Sequence, residues 1–279
     1  MPDSLFILIA IVLYLLATVF TALCLRSSAD TKDSTDAPAN NVNIRIAFIL
    51  AIIAVGVHSA YAFNISLVGQ LINFGLSSML VLVSALITVL FLLGGLAMPI
   101  RRLGILVYPF TVSCLLFSLA WGNQVVTISN TSFAFNTHIL ISLLAYSLLA
   151  IASIQALLYM YQERQIKHRT NPAMLMALPP LQTMEQLLFR LVGFGFICLS
   201  LTLISGAIFS QEIFGHPFVL KHHTLLALFG WIVFAILLFK RLKHGLRGTQ
   251  AVVWTIGGFL LIQLGYFGTK IVSESLSLP

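Results

Sequence analysis

The stretch FGLSSMLVLVSALITVLFLLGGLA, Phe74–Ala97, carries no charged side chain from end to end and is closed by Pro99. A helix needs about 20 apolar residues to cross a hydrocarbon core of about 30 Å. Backbone amides in lipid must find partners inside their own segment, so this stretch reads as a membrane-spanning helix. Seven more stretches read the same way: Leu5–Leu25, Ile46–Asn64, Leu103–Trp121, His138–Tyr161, Leu191–Phe209, Thr224–Phe239 and Ala251–Val272. Hydrophobic residues make up 59% of the 279 and charged residues 8%, with a mean hydropathy of +1.02. So few charges could not cover a water-soluble surface. The chain is therefore expected to be all-α, a polytopic membrane bundle of about eight helices forming one transmembrane domain over residues 1–279. Its first span begins Met1-Pro2-Asp3-Ser4, without a basic residue, and no small-residue cleavage site precedes Arg26, so it reads as a permanent helix.

Basic residues gather between alternate spans. Arg26, Lys32 and Arg45 follow the first, and Arg101 and Arg102 the third. Arg164, Lys167, Arg169 and Arg190 lie around the loop after the fifth, and Lys240, Arg241, Lys243 and Arg247 after the seventh. The opposite loops hold only Lys221 and Lys270. The positive-inside rule then places the four basic loops in the cytoplasm and both termini outside. The net charge of +7 is accounted for by that face, with membrane lipid as its partner and no call for nucleic acid. Cys24, Cys114 and Cys198 each fall within a span and form no CxxC pair, so they point to neither disulfide exchange nor a zinc knuckle. Residues Ser27–Asn43 read as a solvated linker. Asn64–Asn73 fits either a surface segment or a partly re-entrant one. After Pro179-Pro180, Thr183 with Gln186 three residues on fits a capping box, predicting a short interfacial helix feeding the sixth span. No internal repeat is visible, which weighs against an inverted-repeat transporter.

The histidines carry the candidate chemistry. His58, His138, His216, His222 and His223 fall at or near the outer side, and His168 and His244 in basic loops. His58 lies roughly 9 Å inside its span at about 1.5 Å per residue. Ionisable groups at such depth usually face a bundle interior or a cavity, and imidazole is a common axial ligand of haem iron. His222 and His223 point about 100° apart on a helix. His223 shares its face with Ala227 and Gly230, which suits close helix packing, and His222 shares its face with Leu226 and Phe229. Gln155, Ser205 and Gln263, polar residues inside spans, read as interhelical hydrogen-bond partners. No Asp, Glu, Lys or Arg lies well inside any span, which goes against ion-coupled transport.

Several stretches together carry a family resemblance. The run GAIFSQEIFGHPFVLKHH, Gly206–His223, resembles the segment entering the tryptophan-rich outer motif of cytochrome c assembly proteins, and Trp231 falls where that family has a Trp in the next span. Lys243–Gly248 looks like its Gly-x-Arg-Gly turn and Tyr266–Lys270 like its closing aromatic-Gly signature. Thr137–Tyr146 is similar to the stretch in which haem-handling members place an outer axial His, and Pro179-Pro180-Leu181 with Glu185 looks like the signature of the small eight-span, HemX-like subgroup. The resemblance covers nearly the whole chain. It implies a bacterial inner-membrane protein, haem as cofactor and other cytochrome c maturation proteins as partners. It implies a haem site formed by His138 and His58 as metal ligands, with His223, His222, Trp231, Phe214 and Phe218 around them.

The chain departs from the haem-handling pattern in specific places. The tryptophans of the outer shelf are replaced by Phe209, Phe214, Phe218 and Leu220, and its acidic residue by Lys221. Late in the seventh span, near Phe239, and in the tail Ser273–Pro279 there is no histidine. The expectation is accordingly haem binding or handling at the outer face without complete haem-lyase activity. A scaffold or regulatory protein retaining the fold, and a small-solute transporter, stand as the alternatives. If haem binds, His138 is expected as axial ligand with His58 or His223 opposite, and Phe209, Phe214, Phe218 and Trp231 are expected to line one apolar depression.

Overall fold

The computed structural model describes residues 2–30, 37–68, 71–97, 100–122, 124–127, 132–168, 179–210 and 222–276. Eight of its helices are long and apolar enough to cross a membrane. They are α1 (Pro2–Asp30), α2 (Ala37–Ser66), α3 (Leu76–Ala97), α4 (Gly104–Trp121), α5 (Phe133–His168), α6 (Leu181–Ile208), α7 (His222–His244) and α8 (Gly248–Gln263). The last runs through a π-helical turn, Leu264–Gly268, into the short α9 (Thr269–Leu276). All eight predicted spans are present. α5 has 36 residues, about 54 Å at 1.5 Å each. It starts before His138 and runs past Tyr161, so the fifth span overshoots a bilayer at its basic end.

Each helix turns one apolar face inward and another outward. On α1, Ile7, Ala10, Tyr14 and Ala17 are buried, whereas Leu8, Val12 and Val19 are about half exposed at 50%, 54% and 52%. Apolar exposure on that scale is tolerable only against lipid. Small residues such as Ala10, Ala17, Ala51 and Ala54 at the inward positions let α1 and α2 approach closely. The helices group in two fours. α1 packs on α2 and α4, and α3 on both α2 and α4. In the second group α5 packs on α6 and α8, and α7 on α8 and α6. The seam between the groups is α3 against α5.

The residues after α2 form a short pairing of extended segments. Leu67–Val68 and Leu71–Ile72 pair as a two-residue antiparallel hairpin, and Asn73 ties it down. The Asn73 amide donates to the Ile65 carbonyl (3.2 Å) and Ser78 Oγ (2.7 Å), and its Oδ1 accepts from Gly75 N (2.9 Å) and Val126 N (2.9 Å). Gly75 is required there, because a Cβ would lie 2.1 Å from the Gln124 carbonyl oxygen.

The expected capping box is not formed, and the helix expected to feed the sixth span is continuous with it. α6 starts at Leu181 and runs unbroken, with Pro180 at its N-cap and no side-chain cap. The Pro180 carbonyl accepts from both Thr183 N (2.9 Å) and Met184 N (3.2 Å). Proline's preset φ starts a helix without a hydroxyl cap, and Thr183 is left three positions inside. Between α7 and α8, Gly245 (φ 63°) and Gly248 (φ 65°) make the turn of the Gly-x-Arg-Gly run. Arg241 closes it, donating to the Leu246 carbonyl (3.0 Å) and to Glu185 Oε1 (2.5 Å) while its guanidinium covers the Phe189 ring.

Candidate functional site

Successive spans alternate in direction. The starts of α1, α3, α5 and α7 therefore share one end of the bundle with the finishes of α2, α4, α6 and α9. Of the predicted outer histidines, His58, His138, His222 and His223 belong to this end. A cavity of about 310 Å³ opens there at the seam between the two groups, walled by α3, α5, α6, α7, α8 and the π turn. Phe74, Phe135, Tyr146 and Phe267 give it aromatic walls, and His138 and His223 both line it. Ala227 lines it too, so the shared face of His223 and Ala227 is the inward one.

His138 is held in a defined way. Its Nδ1 lies 2.9 Å from Ser205 Oγ, across from α5 to α6. Ser205 Oγ in turn donates to the Thr202 carbonyl at 3.0 Å. While that proton is on the Thr202 carbonyl, the oxygen accepts from His138 Nδ1, an arrangement that leaves the imidazole lone pair on Nε2. This orientation of an imidazole by a neighbouring oxygen is what metal-ligating histidines use. Gly206 makes room for it: a Cβ at that position would stand 3.2 Å from His138 Cε1. Ser205 is the interhelical partner that its place in the span suggested.

The π turn shapes the far wall. One extra residue per turn pushes Tyr266 and Phe267 against α5, where Phe267 meets the Tyr146 ring at 5.4 Å. Gly265 lets this turn touch α7, since a Cβ there would lie 3.2 Å from the His223 carbonyl oxygen. Such turns commonly mark functional places in helices. Sequence reasoning caught the aromatic-Gly signature but not Phe74, Phe135 or Tyr146 as wall residues. Isolated aromatics in apolar spans give no local signal of what they face.

The other predicted site residues separate. His58 is fully buried in the first four-helix group and is not among the residues lining the cavity. Its Nδ1 faces Tyr14 Oη at 3.3 Å and its Nε2 faces Ser84 Oγ at 3.5 Å. The expected meeting of His58 with His138 is not made, because α3 stands between α2 and α5. Met79 and Val83 of α3 face the cavity, whereas Ser84 turns toward His58. Trp231 is also off the cavity. It sits about 12 Å further along α7 than His223, stacked on Phe196 at 5.5 Å and donating from Nε1 to Ser200 Oγ at 2.8 Å. Phe209 is 41% exposed just past the end of α6 and, like Trp231, is not among the residues lining this cavity. Phe214, Phe218 and His216 lie outside the described residues, as does the side chain of His222, the first residue of α7.

Comparison with known proteins places this architecture. The YpjD inner membrane protein of Escherichia coli K12 is 29% identical over 184 residues, 66% of either chain. The CcsA cytochrome c biogenesis protein of Chlamydomonas reinhardtii is 27% identical over 144 residues, half of this chain and 38% of that one. An uncharacterised 28.8 kDa protein of Azospirillum brasilense is 30% identical over 139 residues, covering 50% of this chain and 51% of that one. The chain thus spans just under two thirds of YpjD and less of the others. No solved structure matches. The model of the cytochrome c assembly protein family matches residues 46–277, from the start of the second predicted span through the π turn and α9. This eight-helix chain belongs to the cytochrome c assembly protein family.

Proposed function

We propose that this protein serves cytochrome c assembly in a bacterial inner membrane by holding haem at the His138 cavity, with haem and other maturation proteins as its partners. The supporting observation is the imidazole of His138, met at Nδ1 by Ser205 and standing in an aromatic-walled cavity that His223 also lines. That is the donor type and the kind of wall that haem requires. A volume of about 310 Å³ falls at the lower end of the range for ligand sites, roughly 300–1,000 Å³. Family membership and the relatives named YpjD and CcsA support the same reading.

The iron would supply any redox chemistry. The chain's own residues bind and orient. His138 would hold the haem iron, Ser205 fixes the His138 ring, His223 would offer a second imidazole, and Phe135, Tyr146 and Phe267 would keep water from the pocket. His58 has no part in this site. Without the family's tryptophans and acidic residue in the outer loop, the role is carrying or presenting haem rather than completing its attachment.

The cavity faces outward and both termini lie outside, because the basic residues gather at the opposite end. A phosphatase fused after Pro279 should be active and a fluorescent protein fused there dark. The haem reading is tested by the absorption of gently purified protein from cells supplied with haem. A Soret band with a pyridine haemochrome is expected. Colourless protein under those conditions favours a scaffold that keeps the fold alone.

A further inference from the structure

The His138 cavity differs between its two ends. His138 lies in the second turn of α5 and His223 is the second residue of α7, so both imidazoles stand at the outer end. Leu149 and Leu199 line the far end. Leu149 lies about 16 Å further along α5 than His138. Among the lining residues His223 and Tyr266 are exposed, whereas Leu149 and Leu199 are buried. The histidine end is therefore the open one, and the leucine end is closed.

The lining holds no charge. No Asp, Glu, Lys or Arg belongs to it among the described residues. Two of its hydroxyls are engaged within their own helices. Ser142 Oγ donates to the His138 carbonyl at 2.6 Å, and Thr202 Oγ1 donates to the Cys198 carbonyl at 2.9 Å. An ionised carboxylate placed deep in such a cavity would be buried with no cation to pair it, which is a costly burial. Hydrocarbon placed there is stabilised instead.

Haem is itself two-sided. One edge of the macrocycle carries two propionates, ionised at neutral pH, and the opposite edge carries two vinyl groups. We propose that this cavity takes haem edge first, with the vinyls inward toward Leu149 and Leu199 and the propionates at the outer mouth. The inference rests on the haem reading above and adds an orientation to it. A cytochrome thiol joins haem by adding its S–H across a vinyl C=C bond. With the vinyls at the closed end, that addition is blocked while haem occupies this site. Haem must leave it, or turn in it, before attachment.

The test is a Soret titration of the unaltered full-length protein in detergent with three porphyrins. Haem is the reference. Haematohaem carries a hydroxyethyl group in place of each vinyl, and haem dimethyl ester has both propionates neutralised. Burying two hydroxyls among leucines should weaken haematohaem by at least about tenfold relative to haem. The ester, altered only in groups that face water, should bind within about threefold of haem. A second readout is independent of affinity. Haem-loaded protein is incubated anaerobically with a small thiol, and the vinyls are followed by the position of the pyridine haemochrome band. They should stay unreacted while haem in detergent alone is consumed. Haematohaem binding as tightly as haem would overturn the orientation. So would an ester weakened by about tenfold or more, or vinyls that react as fast as those of free haem. Each of these leaves haem binding itself in place. Failure of all three porphyrins to bind would overturn the haem reading and the orientation with it.

Discussion

The two four-helix groups each hold one histidine within a span, and they treat it in opposite ways. In α1–α4, His58 is sealed in, with Tyr14 and Ser84 at its two ring nitrogens. The Tyr14 ring lies on Tyr108, which meets Phe91 edge-on, and Thr88 bonds Thr111 alongside at 2.9 Å. In α5–α8, Ser205 meets His138 at Nδ1, and the ring lines a cavity with a second histidine on its wall. A membrane histidine is costly in either setting. The first group offsets the cost by satisfying the ring from within the bundle, which makes it structural. The second leaves room beside the ring, which makes it a site. Depth in the membrane does not separate the two roles; the partners of the ring do.

The largest effect is expected from His58→Ala. It opens a void and strips Tyr14 and Ser84 of their partner, so about 3 kcal/mol of stability should be lost. The melting temperature in detergent should fall clearly while haem per folded molecule stays unchanged. Next comes Glu185→Gln at the basic end. Glu185 pairs with Arg241 at 2.5 Å and is largely shielded, with its side chain 13% exposed. About 2 kcal/mol of stability should go with it, between the values for exposed and fully buried pairs, again with haem content unchanged. Ser205→Ala should do the reverse. Thermal stability changes little, but the orienting contact on His138 Nδ1 is gone, and haem affinity should fall about fivefold in a titration. Gly206→Ala is the mildest. Its new Cβ would press on His138 Cε1 from 3.2 Å, and the drop in haem affinity should be smaller than for Ser205→Ala.

The span count was readable because lipid imposes one dominant rule, a length of unbroken apolar residues, and Phe74–Ala97 obeys it without interruption. The family was readable from turns and signatures such as Lys243–Gly248 and Tyr266–Lys270, which fold into the glycine turn and the π turn. Helix neighbours were not readable. Nothing in α2 or α5 says that α3 will run between them, and the pairing of His58 with His138 depended on that. Trp231 was misplaced for a related reason: its indole found Ser200 and Phe196 inside the bundle rather than the cavity. The capping box at Thr183 failed locally, because the preceding prolines start α6 earlier.

The central claim is that one histidine is a site and the other a strut. The direct test is the pyridine haemochrome content of purified, folded protein from haem-supplied cells for the unaltered chain, His138→Ala and His58→Ala. The account predicts haem in the unaltered chain, equal haem per folded molecule in His58→Ala, and little or none in His138→Ala. Equal content in His138→Ala and the unaltered chain, or loss confined to folded His58→Ala, would contradict it.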